Sequence, residues 1–348
     1  MNFPREIINW YYINKRDLPW RSTTDPYIIW LSEIIMQQTR VEQGTPYFNR
    51  FAENYPTVSD FASASENEIL KHWQGLGYYS RGRNMLQTAQ MVMEDYGGYF
   101  PKNYDELLKL KGVGEYTAAA ISSFSNNEAR AVVDGNVFRL LARYFGIDVA
   151  INTGAGKKLF TKLANDIMDK NQAAIYNQAV MEFGSLQCKP ANPDCSICPL
   201  LPGCEAYRQN RVHELPLKLK AKKVRERFFN YIVLKKNNRL LMHQRDANDI
   251  WQNLYQFPLF ETSVATEAKT VIQSKEFIAL FGEKVTIKKA HQNVRYFLSH
   301  QKLNATFIEI DYEPGANTLP EYYFFADDKD LQILAQPKLI FEFIKKFF

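Results

Sequence analysis

No run of about 18 apolar residues occurs in the chain, so no transmembrane helix is expected. The opening MNFPREIINWYYINKR lacks both an apolar h-region and a small-residue cleavage site, so it does not read as a signal peptide. A cytoplasmic, nucleoid-associated protein is the expectation. Internal repeats and low-complexity tracts are absent as well. Cysteine is scarce: there are four, all between 188 and 204. A disulfide framework would spread its bridges over the chain, so one tight cluster reads instead as a metal site. Charge of one sign is in small excess, with a net charge of +5 and a pI of about 8.8. That is compatible with a polyanionic partner without identifying one. What is present is an ordinary globular composition, 46% apolar and 23% charged over 348 residues. It excludes a disordered or collagen-like chain, and the length suggests two domains.

Residues 1–210 read as an all-α domain. Asp25 to Thr39 carries Ile28, Leu31 and Ile35 at helical spacing. Ser65 with Glu68, and Asn103 with Glu106, are capping-box patterns that predict helices ending near Gly75 and Gly112. Residues 115–125 predict a short helix, and 155–187 two more. Residues 211–227 combine proline with a basic run and read as a linker, a solvated spacer. In 228–348 the texture changes. FFNYIVL and RLLMHQ flank a Lys-Lys-Asn-Asn turn, 305–312 and 322–326 resemble strands, and 266–281 and 337–347 resemble helices. A smaller α+β domain is expected there.

Four patterns could carry chemistry. Cys188-x6-Cys195-x2-Cys198-x5-Cys204 offers four thiolates, suited to zinc or to an iron–sulfur cluster. The spacing is not a pair of CxxC knuckles, which weakens zinc. Leu110-Lys111-Gly112-Val113-Gly114 predicts a tight turn that leaves helix N-terminal amides free for a phosphate. A plain inter-helix loop accounts for it equally well. Glu33 lies in an apolar helix, and Asp134 stands where the next helix begins. By default the first is a paired or solvated side chain and the second a helix cap. Two carboxyls in unlike surroundings could also divide acid and anion roles. Gly75-Leu76-Gly77-Tyr78-Tyr79-Ser80-Arg81 joins flexible backbone to aromatics and Arg, as suits an element inserted into a base stack or, more simply, a turn with core aromatics.

Taken in order, LPWR (18–21), SEIIMQQTRV (32–41), GLGYYSR (75–81), LKGVGEYTAAAI (110–121), VVDGNVFR (132–139) and the cysteine run resemble the helix–hairpin–helix DNA glycosylases. Among these the chain is most similar to the MutY-type adenine glycosylases. The resemblance covers about 1–210 densely, and it is this resemblance that makes the metal site a [4Fe–4S] cluster. It implies Glu33 as the acid that protonates adenine, Asp134 as the carboxylate facing the sugar cation, and Asn136 as a residue positioned near Asp134. It further implies Arg21 in the adenine pocket, Gln38 and Tyr78 as side chains wedged into the duplex, and Gly112 and Gly114 in the phosphate-binding hairpin. Tyr116 occupies the position where the endonuclease III branch has a Schiff-base lysine. A phenol forms no imine, which implies a monofunctional enzyme. The second domain resembles the Nudix fold without the Nudix catalytic signature, and in the family it reads 8-oxoguanine. Leu298-Ser299-His300 matches the family's Phe-Ser-His loop at Ser299 and His300, with Leu298 in place of Phe. The implied partner is duplex DNA carrying A opposite 8-oxoguanine or G, bound by a monomer. The rival readings are an endonuclease III-like lyase on oxidised pyrimidines and a non-catalytic DNA-damage binder.

Overall fold

The computed structural model describes residues 2–220, 224–246, 249–298, 300–312 and 319–348. Two compact units emerge, Met1–Ala64 with Asn84–Ala221, and Ser65–Arg83 with Lys222–Phe348. None of the described helices is long and apolar enough to cross a membrane.

The first unit is helical. Asp25 caps the helix Pro26–Ile35 by accepting from the Tyr27 N–H at 2.9 Å. Its apolar residues are buried almost all round, Trp30 and Leu31 included. The helix is shorter than its pattern predicts: it stops at Ile35, and Gln38 turns the chain with a left-handed φ of 55°. The helix expected from Asn103 to Lys111 is also shorter, a single turn over Tyr104–Leu107. Asn103 does accept from the Glu106 N–H, but the Glu106 carboxylate goes to Lys109 and to the Tyr96 hydroxyl, so the reciprocal half of the box is missing. Glu115–Asn126, Gly135–Phe145, Gly154–Ile167 and Ala173–Leu186 complete the frame of the site. Phe3, Ile7 and Tyr11 of the helix Phe3–Asn14 share one core with Leu140, Leu141, Phe160 and Phe183.

The stretch read as a solvated spacer is partly bound to this unit. The Leu217 carbonyl accepts from the Ile151 N–H at 3.0 Å, Leu219 exchanges hydrogen bonds with the Asn152 side chain, and Leu215 is buried. The physical reason is that Leu215, Leu217 and Leu219 alternate with Pro216, Lys218 and Lys220 too briefly to register as periodicity.

The second unit is a mixed sheet with helices on both faces. Its strands are β1 (Arg225–Lys236), β2 (Arg239–Gln244), β3 (Tyr255–Gln256), β4 (Leu259–Thr262), β5 (Val285–Phe297), β6 (Gln301–Tyr312) and β7 (Tyr323–Ala326). Asn237 and Asn238, both at positive φ, make the β1–β2 turn. The sheet runs β3-β2-β1-β6-β5, with β1 and β6 parallel, β4 antiparallel to β1, and β7 antiparallel to β2. The helical pattern at 266–281 resolves into Ala268–Ile272 and Lys275–Phe281, divided where Ser274 caps the second. Phe277 and Phe281 pack on Ile232, Ile308 and Ile310. On the other face Phe343 of the helix Lys338–Phe347 stacks on Phe307, ring centroids 3.8 Å apart.

Residues 65–83, read from sequence within the helical domain, are bonded into this second unit. The Ser65–Glu68 box forms in full and starts the helix Glu66–Trp73. Asn67 donates to the Ile333 carbonyl, Lys71 to those of Leu331 and Leu334, and the Tyr79 hydroxyl to that of Gln336.

Candidate active site

Glu33 projects from the last turns of Pro26–Ile35 and borders two spaces. One is an open cleft of about 870 Å³ that also meets Gln37, Gln38, Tyr116 and Asp134. The other is a narrow pocket enclosed by Trp20, Arg21, Ser32, Phe124 and Met181. Tyr116, in the first turn of Glu115–Asn126, donates its hydroxyl to the Glu33 carboxyl. Burial, reinforced by the fields of Glu33 and Asp134, keeps the phenol protonated. Burial is also the main cause that pushes the Glu33 carboxyl up to about 7. The Tyr116 hydrogen bond opposes that shift, and the negative field of Asp134 adds to it.

Asp134 does cap its helix. Its Oδ1 accepts from the N–H groups of Asn136 and Val137 at 2.9 and 2.8 Å, and its Oδ2 accepts from the Asn136 side-chain amide at 2.7 Å. It lines the cleft as well, so cap and cleft wall are one residue. Burial raises its carboxyl above the ordinary range, and the three donors, with the Arg139 field, pull it back. Asn136 is fixed from behind: Arg139 donates to its Oδ1 at 2.9 Å and to the carbonyls of Gly184 and Cys188 at 2.6 and 2.8 Å. Gly184 permits this approach, since a Cβ there would stand 2.8 Å from the Asn136 carbonyl oxygen.

Arg21 lies on the three-residue turn Pro19–Arg21 and grips Glu182, Nη1 to Oε1 at 3.1 Å and Nη2 to Oε2 at 2.8 Å. Arg16 binds the same carboxylate. Burial alone would raise Glu182, but hydrogen bonds from the two guanidiniums and the Arg16 N–H bring it down to about 2. Glu182 and Arg16 escaped the sequence reading. The available signal was a lone carboxylate in the apolar run AVMEFGSL, which has to find a cation once buried.

Gly112 takes a left-handed φ of 74°, and a Cβ there would lie 2.9 Å from the Asn84 Cβ. Gly114 precedes Glu115–Asn126 with open space around it, and no side chain caps the helix amides. Gln38 is exposed on the cleft rim. Tyr78, with φ 50° and 38% of its surface exposed, belongs to the second unit. There it borders a cavity of about 430 Å³ with Trp251, Tyr296, Phe297, Leu298 and His300. His300 sits in the turn between β5 and β6, where the Leu298 N–H donates to the Gln301 carbonyl and the His300 carbonyl accepts from Arg225. Ser299 lies outside the described residues.

The four cysteines are free and line one cavity beside Leu140 and Phe183. Among the described residues no group of three ligating side chains is placed to hold a single metal ion. Burial pushes the Cys198 thiol up to about 11 and raises those of Cys195 and Cys204. Arg143 closes the wall, donating to the Cys188 Sγ at 3.4 Å and to the carbonyls of Lys189 and Pro190 at 2.7 and 3.0 Å. The donor set, four soft sulfurs around a shared space and a cation beside them, fits an anionic thiolate-bound cluster.

Residues 31–165 match the model of the HhH-GPD superfamily of base excision DNA repair proteins, and 230–346 match that of the NUDIX domain. The adenine DNA glycosylase of Buchnera aphidicola subsp. Schizaphis graminum (strain Sg) is 34% identical over 85% of this chain and 82% of its own length. The Homo sapiens adenine DNA glycosylase is 38% identical over 61% of this chain and 41% of its own. Among solved structures, a thermostable thymine-DNA glycosylase aligns with a TM-score of 0.56 and 30% identity, covering 60% of this chain and 95% of that one. An endonuclease III–DNA covalent intermediate, at 0.52 and 24%, shares the fold.

Proposed function

Since the chain belongs to the adenine DNA glycosylases, enzymes of base excision repair that cleave an N-glycosidic bond, we propose that it removes adenine paired with 8-oxoguanine or G in duplex DNA, without strand scission. The observation that carries this reading is Glu33, a desolvated carboxyl pushed up to about 7 and placed between a cleft and a pocket. An extruded adenine would enter the pocket beside Arg21, within reach of the Glu33 proton. Glu33 gives that proton to the base, and the C1′–N9 electron pair leaves with the base. The sugar is left as an oxocarbenium ion, opposed by the Asp134 carboxylate that the helix amides hold in place. Water adds to C1′, and its released proton returns to the Glu33 carboxylate. Tyr116 orients Glu33 and has no amine with which to open the sugar, which disfavours the lyase reading.

Cys188, Cys195, Cys198 and Cys204 would hold the [4Fe–4S] cluster, which when bound would cross-link the loop to the helix Ala173–Leu186. In the second unit, Tyr78 and the 298–300 turn would read the base opposite, with His300 and Ser299 supplying polar contacts. The test uses duplexes with A opposite 8-oxoguanine, G, C or T, separating free base from strand breaks. Adenine release fastest opposite 8-oxoguanine, without breaks or borohydride trapping, is the expected result. Strand scission by the enzyme itself would overturn it. Iron and acid-labile sulfide in the purified protein check the cluster, and bound zinc without sulfide would refute it.

A further inference from the structure

We propose that the second unit carries an additional DNA-contact surface, in which Lys235, Lys289 and Lys346 ride on the rings of Phe347 and Phe348, Lys345 adjoins Lys346 in the last helical turn, and all four bind duplex phosphates that flank the target pair. The sheet register assembles it. Val233 of β1 lies beside Glu309 of β6, which faces Lys289 of β5. Side chains two apart share a face, so Lys235 projects on the side of Val233 and Tyr231. The helix Lys338–Phe347 covers that face through Phe343 on Phe307 and brings its last turn to the same end. The Lys235 Nζ then sits 5.0 Å from the Phe348 ring centroid, and the Nζ atoms of Lys346 and Lys289 sit 5.1 and 5.9 Å from that of Phe347.

These four lysines are exposed, and none has a carboxylate partner among the described residues. The nearby acids are already engaged, Glu309 by His291 at 2.6 Å and Asp311 by Lys288 at 2.5 Å. Ammonium groups held over aromatic faces surrender less side-chain freedom when they meet an anion. The helix dipole alone would account for Lys345 and Lys346 but not for lysines on two strands. A row of unpaired cations calls for a polyanion, and the polyanion a DNA glycosylase meets is its duplex.

The surface is remote from the 298–300 turn. That turn bonds Arg225 at one end of β1, whereas Lys235 is ten residues on, roughly 33 Å along the strand. On DNA this is a separation of about ten base pairs. The inference rests on duplex binding by the family and not on how the opposite base is read.

The experiment uses the full chain and two duplexes with A opposite 8-oxoguanine at the centre, one of about 35 base pairs and one of about 12. In the variant carrying Lys235→Gln, Lys289→Gln, Lys345→Gln and Lys346→Gln, affinity for the long duplex should fall roughly ten-fold at moderate salt. The slope of log K against log salt should shrink by about 2–3, near 0.9 per lost phosphate contact. Binding of the short duplex and single-turnover adenine release at saturating enzyme should not change. Arginine at the four positions should restore the slope, and Lys345→Gln with Lys346→Gln alone should give about half of the change. An unchanged slope on the long duplex, or equal losses on both lengths, would overturn the surface. Absence of adenine release from every duplex by the unaltered enzyme would count against the proposed function instead.

Discussion

Glu33 and Asp134 are carboxyl groups of nearly equal intrinsic acidity in unlike surroundings. Both are raised by burial, but Asp134 is offset by two backbone amides and a side-chain amide, whereas Glu33 has one phenol donor. A carboxyl held up to about 7 keeps its proton where an unfolded chain, at 4.5, has lost it. Stability therefore declines as pH rises from about 4.5 to 7, then levels off, a span of roughly 3 kcal/mol. Glu33→Gln stays neutral throughout. It should be the more stable protein at pH 8, by up to roughly that amount, and equal to the parent near pH 4. Denaturant melts across this range check it, and equal midpoints at pH 8 would refute the buried-acid assignment. The same variant should lose adenine release by at least about a thousand-fold, some 4 kcal/mol of barrier, while keeping duplex affinity. In the unaltered enzyme the single-turnover rate should fall as pH rises through about 7. Asp134→Asn keeps a capping oxygen but no charge, so it should fold and yet release almost no adenine. Substantial turnover would leave Asp134 as a cap alone.

At the scale of elements, Gly112 shows how a single backbone angle limits what can be substituted. Alanine there would meet both a left-handed φ and a Cβ contact of 2.9 Å with Asn84. Gly112→Ala should cost about 1–3 kcal/mol of stability and weaken duplex binding, with the rate on bound DNA little changed. Unaltered melting and affinity would show that the turn adapts. The elements also show what was legible in the chain. The Ser65–Glu68 box was readable because a cap is chemistry between residues three apart. Asp134 was readable as a cap for the same reason, and as a candidate anion once the surrounding motifs stood in order. The early stop of the helix at Ile35 was not, because the left-handed turn at Gln38 carries no glycine to announce it. Nor was Glu182, whose partners Arg16 and Arg21 lie more than 160 residues away in sequence. Local patterns thus disclosed the starts of elements, while lengths and buried pairs depended on neighbours distant in the chain.

For the whole molecule, the notable feature is that chain order and compact units disagree. Residues 65–83 interrupt the helical unit in sequence but are bonded to the C-terminal one. Glu66 accepts from the Asn253 side chain at 2.6 Å, and Arg83 donates to the Gln252 carbonyl at 2.9 Å. Asn67, Lys71 and Tyr79 donate to carbonyls between 331 and 336. A chain ending at residue 220 would strip these groups of their partners. At about 1 kcal/mol net for each hydrogen bond, several kcal/mol of local stability would go. Such a truncated protein should show faster amide exchange across 65–83, while Gly135–Phe145 and Ala173–Leu186 keep their protection, because their partners all lie in the first unit. It should also retain some adenine release, since Glu33, Tyr116 and Asp134 remain, but with the preference for 8-oxoguanine over G reduced. That preference should suffer twice, through the direct loss of the 298–300 turn and through the loosening of the loop that carries Tyr78. Exchange mapped by mass spectrometry and single-turnover rates on the two duplexes separate these effects. Unchanged protection at 65–83 with an unchanged preference would mean that the first unit both holds its own loop and reads the opposite base.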